Sequence, residues 1–126
     1  MNNSMKKMTE KEYVPLAVEV QVSDFQRSLK FYKDILGFKL IRNHEKAKFA
    51  SFEFHGAVLM VKEVKNLPAL RGVGAVLRFV IPNVAAYFEQ IRSKAKVIKP
   101  LKRKDYGATR FYIKDPDGYQ IKFTGK

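Results

Sequence analysis

The chain contains no cysteine. That removes disulfide frameworks, thiolate metal sites and cysteine nucleophiles together, and it fits a reducing compartment. No apolar run approaches the length that spans a bilayer, and the N-terminus lacks the apolar stretch of a signal peptide. The expectation is a cytoplasmic protein. Acidic residues are also scarce: 12 Asp and Glu stand against 25 Lys and Arg, a formal net charge of +13. The shortage is uneven. Residues 1–63 carry 11 basic and 8 acidic side chains, whereas residues 64–126 carry 14 and 4. From Arg92 to Lys104 there are seven basic residues and no acid. Such a run either attracts an anion, be it nucleic acid, anionic lipid or an acidic metabolite, or simply keeps the surface solvated. The run has no interleaved aromatics, which favours the second reading over nucleic-acid binding.

With 46% hydrophobic residues in 126, one compact domain over 13–126 is expected, preceded by a disordered arm over 1–12. Leu16 to Ser23 alternates with period two, placing Val18, Val20 and Val22 on one face of a strand. Ser23-Asp24 supplies a helix N-cap. Phe25, Leu29, Tyr32 and Leu36 follow at helical spacing, and Gly37 suits the position after the helix end. Phe38–Arg42, Lys48–Phe54 and Ala57–Val64 read as strands, the last two joined by a hairpin at His55-Gly56. After Asn66 to Gly72 the pattern restarts. Ala75–Ile81 is a strand, and Pro82-Asn83 caps a helix carrying Val84, Tyr87, Phe88 and Ile91. Lys96–Leu101 is a basic edge strand.

The closing stretch is a hairpin in which Phe111-Tyr112-Ile113-Lys114 and Tyr119-Gln120-Ile121-Lys122-Phe123 flank Asp115-Pro116-Asp117-Gly118. Proline sets φ for the first central turn position, aspartate bonds neighbouring amides and glycine supplies a positive φ. The whole is α+β: two β-α-β-β-β modules, 15–64 and 74–124, with a linker over 65–73.

This duplicated order, with the stretches Val22–Leu40 (VSDFQRSLKFYKDILGFKL) and Phe111–Phe123 (FYIKDPDGYQIKF), resembles the vicinal oxygen chelate superfamily. Its members include glyoxalase I, extradiol dioxygenases and bleomycin-resistance proteins. The resemblance covers about residues 15–124. It implies a concave mixed sheet with helices on the outer face, a ligand in the concavity and a homodimer. It also implies four metal-ligand positions, which fall here on Ala17, Met60, Val76 and Lys122. Alanine and valine have no donor atom, a thioether is too soft for these metals, and an ammonium repels a cation. His44, after the second strand, and His55, at a turn, do not replace them. The expectation is therefore no metal and no cofactor.

Strand parity assigns Glu19, Gln21, Met60, Arg78, Arg110, Tyr112 and Lys122 to the ligand-facing side. Either Glu19 is neutralised by Arg78 or Lys122, or spare positive charge holds an anionic or carboxylate-bearing molecule. Glu19 as base and Tyr112 as acid are conceivable, but no nucleophile-base-orienter set can be named, so catalysis is left open. A binding protein for a small molecule is the favoured reading. A metal-dependent lyase or dioxygenase with non-standard ligands, and a basic nucleic-acid module, are the alternatives.

Overall fold

The structure, a computed structural model, describes residues 7–69 and 72–126. The chain divides into two compact units, one ending at Leu67 and the other starting at Pro68. The break falls inside the expected linker, of which residues 70 and 71 lie outside the described part.

The first unit has β1 (Val18–Val22), α1 (Phe25–Lys30), β2 (Lys39–His44), β3 (Phe49–Phe54) and β4 (Ala57–Glu63). Its sheet runs β1-β4-β3-β2, with β1 parallel to β4 and the other pairs antiparallel. The second unit repeats that plan. It has β5 (Leu77–Val80), α2 (Val84–Ile91), β6 (Lys96–Arg103), β7 (Thr109–Lys114) and β8 (Gln120–Gly125), in the order β5-β8-β7-β6. Each is a four-stranded mixed sheet whose opening strand pairs in parallel with its closing strand.

Each sheet buries one face beneath its helix. In the first unit Val20, Val22, Phe52, Leu59 and Val61 of the sheet are buried, as are Phe25, Tyr32 and Leu36 of the helical segment. The Tyr32 ring meets Phe52 at 5.9 Å and Phe38 at 5.6 Å. The second unit uses the same recipe, with Phe111 and Phe123 5.2 Å apart beneath Phe88 and Tyr87. All four apolar residues expected on the second helix are buried. Burial pushes the Tyr87 phenol well above its ordinary pKa, because the ionised form would lose hydration.

Local signals explain the ends of these elements. Asp24 accepts the Arg27 amide at 3.1 Å, capping α1. A second carboxylate arrives from β4: Glu63 accepts the Phe25 amide at 2.9 Å. That bond, aided by Lys48, holds Glu63 below the usual carboxylate pKa. The first helix reaches Leu36 as expected, but its second half, Phe31–Ile35, winds as a π-helix in which the Leu36 amide bonds the Phe31 carbonyl at 2.9 Å. Periodicity of apolar residues does not resolve one wide turn. His55 and Gly56 both take positive φ (48° and 87°) and close the β3–β4 hairpin. In the last hairpin, the buried Asp115 carboxylate accepts the amides of Asp117 and Tyr119, each at 2.9 Å.

Two expectations need correcting. Residues 1–6 of the expected arm lie outside the described residues, but Thr9–Glu12 is ordered. Glu10–Glu12 forms a 3-10 turn, and the Glu12 carboxylate accepts the Thr9 amide at 3.0 Å. Glu12, only 4% exposed, pairs with Arg42 at 3.0 Å, and Lys11 pairs with Glu53 at 2.9 Å. Polar composition suggested disorder, yet the charges have specific partners on β2 and β3. Likewise His44 ends β2 rather than lying in a loop after it.

Candidate functional site

Opposite each buried face, the strands present an open face, and the residues singled out by parity stand on it. In the first unit Glu19 and Gln21 are exposed and Met60 is half-buried. Glu19 is the direct cross-strand partner of Met60, which in turn faces Ser51, and Ser51 faces Arg42. The next row places Gln21 beside Lys62 and Phe49. Lys39 stands across from Glu53, a pair of opposite sign.

The second unit brings Arg78, Tyr112 and Lys122 into one row. Arg78 faces Lys122, Lys122 faces Tyr112, and Tyr112 faces Lys99 on β6. The phenol ring is ringed by cations: Lys99 Nζ lies 4.6 Å from its centroid, Lys122 Nζ 5.5 Å and the Arg110 guanidinium carbon 5.6 Å. Arg110 also donates to the Pro100 carbonyl at 2.9 Å, which fixes its direction. Among the strand residues of this open face there is no carboxylate. Lys99 was missed as a site residue because β6 carries two register shifts, one before Lys99 and one after it. Period-two counting cannot follow a strand through bulges.

The resemblance implies a metal held at four positions. Met60 pairs with Glu19, and Ala17 lies two residues before Glu19. Lys122 pairs with Arg78, and Val76 lies two residues before Arg78. The two modules thus hold the four positions in one equivalent register, and the side chains there are a methyl, a thioether, an isopropyl group and an ammonium. These do not fit a divalent cation. Among the described residues, no three His, Asp or Glu side chains gather as an alternative centre.

A separate cleft of about 940 Å³ lies at one end of the second unit, between Val80, Pro82, Arg103, Tyr106, Gly125 and Lys126. It contains none of the expected site residues. Among the described residues, no helix is long and apolar enough to cross a membrane.

The family described as the Glyoxalase/Bleomycin resistance protein/Dioxygenase superfamily matches residues 15–123. The chain belongs to that superfamily. As a glyoxalase-superfamily member it is 26% identical over 116 residues to the uncharacterized protein YraH of Bacillus subtilis (strain 168), covering 81% of this chain and 90% of that one. A protein of unknown function from Agrobacterium tumefaciens str. C58 superposes with a TM-score of 0.71 at 25% identity, covering 99% of each chain. A glyoxalase/bleomycin resistance protein/dioxygenase from Alicyclobacillus acidocaldarius gives a TM-score of 0.73 at 16% identity, covering 94% of each. At that identity the likeness extends to the glyoxalase-like α+β fold with its two modules, and no further.

Proposed function

We propose that this superfamily member is a metal-free binding protein that holds an anionic small molecule on the open face of its second module. The observation that carries the reading is the row Lys99, Tyr112, Lys122 and Arg78, with Arg110 beside it and no carboxylate among the strand residues of that face. Cations gathered on one sheet face repel one another, and an anion is the species that turns this repulsion into attraction. The residue types at Ala17, Met60, Val76 and Lys122 support binding without a metal. The superfamily's metal chemistry needs donors that these side chains lack.

Binding of anilinonaphthalene sulfonate, an aromatic anion, followed by fluorescence in chelator-treated protein, tests the reading. Saturable binding that weakens at least tenfold in Lys99→Gln and Lys122→Gln is expected. Stoichiometric nickel, zinc, manganese or iron in protein purified without chelator would overturn it.

A second copy is the proposed partner. The opening strand of each module is a sheet edge with apolar side chains exposed on or just before it: Leu16 and Val18 in one, Val76 and Val80 in the other. Such edges favour coverage by another chain. Sedimentation at the monomer mass would count against it.

A further inference from the structure

The open face of the second module violates a rule that the first module obeys. Direct cross-strand neighbours of like charge destabilise a sheet, and opposite charges stabilise it. On the second module's open face Arg78 faces Lys122, Lys96 faces Lys114, and Lys102 faces Arg110. These are three like-charge pairs on one small sheet. The first module, built on the same plan from the same chain, sets Lys39 against Glu53 and ties Arg42 to Glu12. Solubility alone does not call for cations placed directly opposite one another, since charges interspersed by sign serve it at less cost. Departures of this kind from local consistency collect where a ligand supplies the missing partner.

The cations also form more than one centre. Lys99, Arg110 and Lys122 converge on the Tyr112 ring. Lys96 and Lys114 stand in the next row, two residues along β7 from Tyr112. At roughly 3.4 Å per residue, the rows are about 7 Å apart along the strand. A single anionic group can meet one centre and leaves the other pair opposed. We infer that the ligand of this face carries two or more anionic groups, as a condensed phosphate or its ester does. The inference rests on the anion-binding reading above and adds the ligand's multivalency to it.

A titration series of orthophosphate, pyrophosphate and tripolyphosphate at fixed ionic strength, followed by backbone-amide NMR, provides the test. Affinity is expected to rise at least tenfold along the series, with shifts spreading from Tyr112 and Lys122 to Lys96 and Lys114. Lys114→Gln is expected to reduce the ratio of tripolyphosphate to orthophosphate affinity at least fivefold. Lys33→Gln, on an exposed side chain of the first module, should leave that ratio alone. Equal affinity for all three anions, all mapping to Tyr112, would overturn multivalency while sustaining the anion-binding reading. No binding of any anion would remove both. An equal loss in Lys114→Gln and Lys33→Gln would mean diffuse charge attraction and would overturn the inference. Binding of a thymidine decamer at this face with no binding of tripolyphosphate would overturn the small-molecule reading on which the inference rests, since the decamer is itself a polyanion. Circular dichroism confirms that each variant is folded before its affinity is compared.

Discussion

Reversing the charge at Lys122 should make the protein more stable and a poorer anion binder in one step. Lys122 stands directly across from Arg78 and, on its other side, from Tyr112, with Lys99 and Arg110 over the same ring. A direct cross-strand charge pair is worth roughly 0.2–1 kcal/mol, with the sign set by the charges. Lys122→Glu turns the repulsive pair with Arg78 into an attractive one, so the change is about twice that, roughly 0.5–2 kcal/mol of added stability. Attraction to Lys99 and Arg110 pushes the same way and offsets the lost contact of Lys122 with the Tyr112 ring, worth about 0.5–1 kcal/mol. For a chain of this size, about 1 kcal/mol moves Tm by roughly 3–5 °C. The expected rise is therefore about 2–10 °C, measured by thermal unfolding in low salt and shrinking as salt screens the charges. Affinity for anilinonaphthalene sulfonate should fall at least tenfold in the same variant. A Tm that stays the same or drops, together with unchanged probe affinity, would show that these cations do not repel one another in the folded protein and that an anion does not bind among them.

Other variants test the frame around that face. Gly125→Ala would push a Cβ into the Ile81 carbonyl oxygen and to 3.2 Å from a Val84 methyl. A loss of about 1–3 kcal/mol in urea unfolding is expected, as for other overpacked sites. Glu12→Ala removes the fully buried carboxylate that pairs with Arg42 at 3.0 Å. The loss should be toward the lower end of roughly 3–5 kcal/mol, because Arg42 keeps its place over the Phe49 ring. Glu63 has its pKa held down by the Phe25 amide, so its contribution is present above the ordinary carboxylate pKa and fades as pH falls through the lowered value. Glu63→Gln should therefore show a shallower loss of Tm than the parent between about pH 5 and pH 3.

Much of the fold was legible because it is written in short-range chemistry. The Asp24 cap, the His55-Gly56 turn and the Asp115-to-Gly118 turn each depend on residues adjacent in sequence. The alternation of Phe111, Ile113, Ile121 and Phe123 fixes which face of the last hairpin is buried. Parity then sufficed to place Arg78, Tyr112 and Lys122 on one open face. What stayed hidden depends on geometry that sequence spacing does not carry. The bulges in β6 brought Lys99 onto Tyr112, and without them a basic edge strand was the natural reading. The π-turn in the first helix keeps the same apolar residues buried, so it leaves no trace in the pattern. The ordering of Thr9–Glu12 comes from ion pairs to Arg42 and Glu53, which are distant in sequence. The like-charge cross-strand pairs needed strand registers before they could be seen at all.

Binding of an anion beside Tyr112 without help from a metal is tested most directly by one NMR titration. Chelator-treated, isotope-labelled protein is titrated with anilinonaphthalene sulfonate, and the amide shifts are mapped. Saturable shifts centred on Arg78, Lys99, Tyr112 and Lys122 are predicted. Shifts that appear only after a divalent metal is restored, or that gather instead around Arg103 and Tyr106, would contradict it.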